Sequence, residues 1–318
     1  AAAKYGHIST VRWLREQHCP WDVQACANAA QSGDLDMLQF LRQHNCPWNG
    51  EVCRYAALNN DLNMLTWARD HGAPWSTRCL HKAAAAGNLM LVLWLVQHDC
   101  PWDAHTCAEA AGSGNLELLQ WLRAQGCPWN AVACSMAARH GRLHILQWLT
   151  AHSCPWDWQT CRNAVARLSL LQWARSRECP WGAHTCAAAA GEGNLETLIW
   201  CRENGCDWNE MTCAMAALGG HYDCLEWAHQ QGCPWDHLTC SYAAKEGHLK
   251  ILKYAQSRGC PIFPDVLESA AANGHLQIVD WYQSNGYVLT ENAFNHAIKR
   301  GQLQVVLFLH RLNCPKSA

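Results

Sequence analysis

The chain has 318 residues, and its 24 basic and 26 acidic residues leave a formal net charge of −2 at pH 7. This balance excludes binding of nucleic acid or a membrane surface through overall charge alone, so partner choice must depend on local patches. The longest uninterrupted apolar stretch, Leu89 to Val96, is too short to cross a bilayer, and we expect no membrane-spanning segment.

A Cys-Pro-Trp phrase returns along the whole chain at a spacing of 27 residues, with one exception. It is first seen at Cys19-Pro20-Trp21 and last seen, without its tryptophan, at Cys314-Pro315. A fixed period of this length is typical of stacked supersecondary units. We therefore interpret residues 1–318 as a single solenoid of about twelve repeats with a truncated first repeat, and not as two globular domains.

Each repeat predicts two helices. In the repeat at 102–128, Asp103 follows the turn and is suited to cap a first helix, which Gly114 would end in a left-handed conformation. A second helix is expected from about 116 to 125, because its leucines and Trp121 form one apolar face. The capping slot holds a polar residue in other repeats as well: Asp22, Asn49, Ser76, Asn130, Asp157, Asn209 and Asp236.

One repeat is irregular. Between Cys154 and Cys179 the period drops to 25 residues, because residues 163–170 lack the Gly-Asn turn found elsewhere. We expect the two helices of this repeat to join differently and the stack to bend or twist there.

The repeat resembles the ankyrin repeat. Its pattern T-C-x-x-A-A-x-x-G-N-L-x-x-L-x-W-L-x-x-x-G-C-P follows that family's, with Cys107 at the core leucine, Ala110-Ala111 at the paired alanines and Gly126-Cys127 at its Gly-Ala. The family's repeat has 33 residues, and the missing ones fall in its β-hairpin. The resemblance therefore implies an all-α, ankyrin-like helix-turn-helix solenoid with short or absent hairpins. The Cys-Pro-Trp-rich variant is similar to expanded arrays of giant DNA viruses, amoebae, oomycetes and algae.

The 21 cysteines fall mostly into two columns, one in Cys-Pro-Trp and one seven residues later. Leu80, Leu267 and Phe294 replace cysteine in the second column, which indicates an apolar core slot. Neighbours within a column would lie about 8–10 Å apart, too far for a disulfide. We expect reduced core thiols in an intracellular, reducing compartment, with no metal and no cofactor. A metal- or redox-responsive role is the alternative, although no Cys-x-x-Cys pair occurs.

Eighteen of the 19 tryptophans are periodic, and we expect each to stack on its counterpart in the next repeat. Trp158 is out of register and is expected near the surface. A base-stacking platform for single-stranded nucleic acid is the alternative.

Function should lie in the variable, exposed slots of the first helices, the face that lines the concave side in the ankyrin family. Aromatic, methionine and arginine side chains are favoured interface anchors. The candidates for partner binding on this basis are Tyr55, Met136, Arg139, Met215 and Tyr242.

The stretch from Arg139 to Arg177 contains six arginines, among them Arg162 and Arg167, against the single acid Asp157. Arginine pairs well with carboxylate and phosphate, so an acidic or phosphorylated peptide is a candidate partner. Nucleic-acid or phosphate binding by this stretch is an alternative, but we do not expect a nucleic-acid partner for the chain.

No catalytic motif is present, and we predict that the chain is not an enzyme. We predict a protein-protein interaction scaffold or adaptor that binds its partner through the concave face. Because the terminal repeats lack polar caps, end-to-end self-association is also expected.

Overall fold

The computed structural model describes residues 2–314, which form one 3-10 helix, Ala2–Tyr5, and 23 α-helices, with no β-strand in that range. Pro315, in the last copy of the repeated phrase, lies outside the described residues. The helices alternate between a first and a second helix of each repeat. The first helices are α2 (Val23–Ser32), α4 (Glu51–Leu58), α6 (Thr77–Ala85), α8 (Ala104–Ser113), α10 (Ala131–Arg139), α12 (Trp158–Ala164), α14 (Ala183–Gly191), α16 (Glu210–Gly219), α18 (His237–Lys245), α20 (Pro264–Ala272) and α22 (Glu291–Lys299). The second helices are α1 (Ile8–Glu16), α3 (Leu35–Gln43), α5 (Leu62–Asp70), α7 (Leu89–Gln97), α9 (Leu116–Ala124), α11 (Leu143–Ala151), α13 (Leu168–Ser176), α15 (Leu195–Glu203), α17 (Tyr222–Gln230), α19 (Leu249–Ser257), α21 (Leu276–Ser284) and α23 (Leu303–Arg311).

These helices form two compact units, one reaching to Trp156 and the other beginning at Asp157. Each unit is a helical solenoid of six helix pairs, with the 3-10 helix serving as the first helix of the first pair. The predicted all-α repeat architecture is therefore confirmed, as is the absence of β-hairpins from the described residues. A single solenoid over residues 1–318 stays a prediction.

Within each unit, successive first helices pack closely on one another. The paired alanines make this possible, because their side chains are small enough to let helix backbones approach. Ala110 and Ala111 of α8 are both 0% exposed. The second helix covers this row with its predicted apolar face, and Leu118, Leu119 and Leu122 are equally buried. The core of a repeat thus lies between its two helices and the helices of its neighbours.

The helix ends follow the predicted capping pattern. The Asp103 carboxylate accepts hydrogen bonds from the amides of His105 (2.9 Å) and Thr106 (3.3 Å), and the Asp103 amide donates to the Thr106 hydroxyl (3.4 Å). Gly114 ends the helix with φ +87°. Capping hydrogen bonds from the same slot are also made by Asp22, Asn49, Asn130, Asp157, Asn209 and Asp236. The prediction was wrong for Ser76, whose side chain makes no capping hydrogen bond.

An arginine clamp holds the Cys-Pro-Trp turn, a feature that the sequence analysis missed. The Arg123 guanidinium lies 3.9 Å from the centre of the Trp129 ring, and its Nη1 donates to the Cys127 carbonyl. One side chain therefore binds both the peptide and the aromatic ring of the turn, a cation–π contact joined to a charge-assisted hydrogen bond. The same pair of contacts is made by Arg42, Arg69, Arg175 and Arg202.

The tryptophans do not pair as predicted. Turn tryptophans meet the second-helix tryptophan of the same repeat edge to face, as in Trp129 with Trp148 at 5.8 Å and Trp208 with Trp227 at 5.9 Å. Edge-to-face contact is a favoured geometry for aromatic rings. Trp158 is 39% exposed, which confirms its expected surface position.

The irregular repeat joins its helices in a shorter way, as predicted. Helix α12 has seven residues, and no residue from Val165 to Arg167 has a positive φ, whereas every other described repeat places a left-handed glycine or Asn60 between its two helices. Arg167 then begins α13 without a side-chain cap.

Replacing Asp236 with alanine removes the capping hydrogen bond from the Leu238 amide (3.0 Å), and we expect it to lower the free energy of unfolding by about 1 kcal/mol. Ser76→Ala is the matched control, since the Ser76 side chain caps nothing. Urea denaturation followed by circular dichroism measures both. Equal losses in the two variants would contradict the assigned capping role.

Replacing Arg123 with valine removes the clamp, and we expect a loss of about 1–2 kcal/mol from the lost cation–π contact and hydrogen bond. Valine fits the slot, since Val96 occupies it in another repeat. Arg78→Ala is the control, because the Arg78 side chain is 68% exposed and its ion pair with Glu51 is long, at 3.6 Å. In thermal denaturation, the midpoint should fall clearly for Arg123→Val and hardly change for Arg78→Ala.

Candidate functional site

A cleft of about 510 Å³ lies across the first helices α18, α20 and α22 of the second unit. We call it the C-terminal cleft. Lys245 lies at the end of α18, and Lys299 and Arg300 lie at the end of α22. Between them, α20 contributes Asp265 and Glu268. The lining also includes Ser269, Ala272, Asn273 and His296.

The cleft contains charges of both signs. Three cations at helix C-termini face two carboxylates on α20, and cations are stabilised at that end of a helix. Lys245 is paired with its neighbour Glu246 at 3.5 Å. None of the ion pairs among residues 2–314 involves Glu268, Lys299 or Arg300. These three side chains are therefore available to a ligand.

Asp265 is held at the side of the cleft nearer α18. Its Oδ2 atom accepts a short hydrogen bond from the Ser241 hydroxyl, which fixes the carboxyl group. Its Oδ1 atom is buried without a hydrogen-bond partner. A buried acceptor left unpaired costs about 1–3 kcal/mol, so a donor that reached this atom would be bound favourably.

The predicted anchors are divided among separate repeats. Tyr55 lies on α4, half-buried, with the Arg54 guanidinium 3.9 Å above its ring. Met136 on α10 is also half-buried, because it packs over Gly112 of the preceding repeat. Met215 on α16 packs over Gly191 in the same way, and half-buried Tyr242 holds the same register on the neighbouring α18. The two methionines thus serve partly in packing between repeats.

The predicted basic stretch is divided between the two units. Arg139 and Arg142 belong to the first unit, and Arg162, Arg167 and Arg175 belong to the second. Arg142 donates from Nε to the Gly112 carbonyl at 3.3 Å, and Arg175 clamps Trp181. These two side chains are structural. Arg139, Arg162 and Arg167 are exposed, as a binding role requires.

Sequence reasoning missed the C-terminal cleft, although a signal existed. Ser269 and His296 occupy the slot of Tyr242, two positions after the second cysteine column. The slots were identified correctly, but the choice among them favoured aromatic and methionine anchors. Charges on three different helices make a site only when the helices are stacked.

The cysteines are buried, as predicted: Cys19 is partly exposed and the other 20 are buried. Burial raises the pKa of the Cys53 thiol to about 12, which keeps it protonated and unreactive. Cysteines of the two columns lie close together within a repeat. The Cys107 thiol donates to the Cys127 carbonyl at 3.8 Å, and the Cys127 thiol donates to the Asp103 carbonyl at 3.5 Å.

Residues 104–150, which cover α8 to α11 almost completely, match a family model for ankyrin repeats. No curated protein matches the chain.

Two similar solved structures are of the pentatricopeptide repeat protein PPR10. One is its complex with an 18-nt psaJ RNA element, with 12% identity and a TM-score of 0.45, covering 96% of this chain and 56% of that one. The other is the protein from maize, with 13% identity and a TM-score of 0.42, covering 99% and 58%. This chain thus spans less than two thirds of the length of either, and the RNA belongs to that protein alone. Among residues 2–314, no helix is long and apolar enough to span a membrane.

We expect one fast-reacting thiol in the folded protein, that of Cys19, and 21 after unfolding. Mass spectrometry after a short pulse of iodoacetamide, with and without denaturant, counts them. Cys19→Ser should abolish the fast reaction. Several rapidly alkylated cysteines in the native state would contradict the core assignment.

Proposed function

We propose that this protein is a non-enzymatic scaffold that binds a segment of a partner protein in the C-terminal cleft. The observation that supports this most is the set of unpaired charges of both signs, Glu268 opposite Lys299 and Arg300, on stacked first helices. The ankyrin match at 104–150 supports a binding scaffold in general terms.

The charge pattern defines the chemistry of the partner. A segment with a carboxylate or phosphate would pair with Lys299 and Arg300, and a lysine or arginine nearby on it would pair with Glu268. Such a segment meets both signs at once, and charge complementarity of this kind gives specificity more than raw affinity. The proposal keeps the acidic or phosphorylated peptide expected from sequence, and adds a basic residue to it.

The same cleft disfavours nucleic acid. A phosphate backbone would gain contacts with three cations but would also meet the carboxylates of Asp265 and Glu268. A peptide of mixed charge avoids this repulsion. The exposed arginines Arg139, Arg162 and Arg167 stay candidates for an additional contact with an acidic partner.

The mechanism of binding is preorganisation. The cleft is built on helices that pack on one another, so little conformational entropy is lost when the partner binds. Concave-face binding over the whole array, the likeness to giant-virus arrays, a reducing intracellular location and end-to-end self-association are further parts of this proposal.

A peptide-display selection against the protein, followed by calorimetry on synthetic peptides, tests the proposal. The double variant Lys299→Glu, Arg300→Glu should weaken binding of the selected peptides by about tenfold or more, because two charge pairs become repulsive. Lys253→Glu is the control, since Lys253 is an exposed lysine on the second helix α19.

Equal weakening by the control, or selected peptides that are indifferent to the double variant, would reject the cleft as the site. Steeply salt-dependent binding of single-stranded RNA, abolished by the double variant, would show instead that the partner is a nucleic acid.

A further inference from the structure

Three cysteine thiols lie together in the core of one repeat of the second unit. Cys186 is on α14, Cys201 is on α15, and Cys206 follows in the next turn. Their sulfur atoms all lie within 4.8 Å of one another, and each residue is 0% exposed. Among residues 2–314, no other set of three or more histidine, cysteine or carboxylate groups is close enough to hold an ion.

The third thiol distinguishes this repeat from the others. Cys186 and Cys206 belong to the two periodic columns, whose members meet in other repeats as well. Cys201 belongs to neither column. Its slot on the second helix is held elsewhere by apolar residues, including Leu122, Ala174 and Ala228. Only here does a third sulfur complete a triangle.

The three sulfurs can bind only a limited range of metal ions. The triangle offers sulfur alone, without nitrogen or oxygen ligands in the group, and all three residues are fully buried. Thiolates select soft metals such as Cu(I). Zinc prefers four ligands, which this group does not supply. A metal at about 2.3 Å from each of three sulfurs in one plane would place them about 4 Å apart, which fits the observed limit.

All three thiols would release their protons to solvent as the metal binds, which makes binding favoured by rising pH.

We propose that Cys186, Cys201 and Cys206 form a three-coordinate site for Cu(I). The site is independent of the proposed partner-binding cleft, and either can fail without the other. Since the ligands come from two helices and the following turn, bound metal would stabilise the folded repeat.

The test is anaerobic titration with Cu(I) against a competing chelator, with X-ray absorption spectroscopy on the protein that contains one equivalent. We expect one tight equivalent with a three-sulfur spectrum. Cys201→Ala should weaken it by about 100-fold or more, because loss of a hydrogen-bond partner behind a ligand already weakens metal binding 10–100-fold. Alanine fits the slot, as Ala174 and Ala228 show.

Cys224→Val is the matched control. Cys224 is a buried thiol of the next second helix that belongs to no such group, and Val305 holds its slot elsewhere. It should retain the tight equivalent. Cys206→Ala is a second ligand variant, to be used if Cys201→Ala folds poorly. Alanine fits this position, since Ala73 occupies it in another repeat. One equivalent of Cu(I) should also raise the thermal midpoint of the wild type and of Cys224→Val, but not of Cys201→Ala.

A two-sulfur spectrum for the first equivalent would overturn the proposal, because the thiol pairs of other repeats would then be the binding sites. Identical affinities in Cys201→Ala and Cys224→Val, or tight binding of zinc in place of Cu(I), would overturn it as well.

Discussion

The contact between each Cys-Pro-Trp turn and the repeat before it is the constraint on which the rest of the structure depends. In the type repeat, the Cys127 thiol donates to the carbonyl of Asp103, the residue that caps the preceding first helix. Arg123 then holds the same turn through its peptide carbonyl and its tryptophan ring. Each turn therefore sets the distance between neighbouring repeats, and the alanine pairs allow the helices to meet at that distance.

Because the turn and the alanine pairs determine the spacing, the remaining first-helix slots are free to vary. Some of these side chains also pack against the preceding repeat, which restricts their variation. Met136 and Met215 pack over glycines of the preceding repeat, so these positions also contribute to packing between repeats. Glu268, Lys299 and Arg300 take part in none of the ion pairs of the described residues, and for this reason the C-terminal cleft presents unpaired charges that the aromatic and methionine positions do not.

The cysteines illustrate how one residue type serves two purposes in the same core. In most slots a thiol replaces leucine or alanine and adds a weak hydrogen bond to a carbonyl, which is the behaviour of a small hydrophobic residue. At Cys201 the same exchange adds a third sulfur to an existing pair. A change that is neutral for packing thus creates a metal-binding geometry.

The sequence by itself determined the period, the helix pair, the caps and the burial of the cysteines, because each of these follows from interactions within one repeat or from a slot repeated many times. Asp103 and Gly114 are local signals of this kind. The tertiary structure alone decided the pairing of Trp129 with Trp148, the packing of Met136 over Gly112 and the placement of Glu268 and Lys299 in one cleft. These arrangements join residues of different helices, and their geometry depends on how the helices are offset, which no local sequence signal specifies. The triangle at Cys186, Cys201 and Cys206 lies between the two cases: its residues are close in sequence, but only the fold of α14 against α15 brings the sulfurs within reach of one ion.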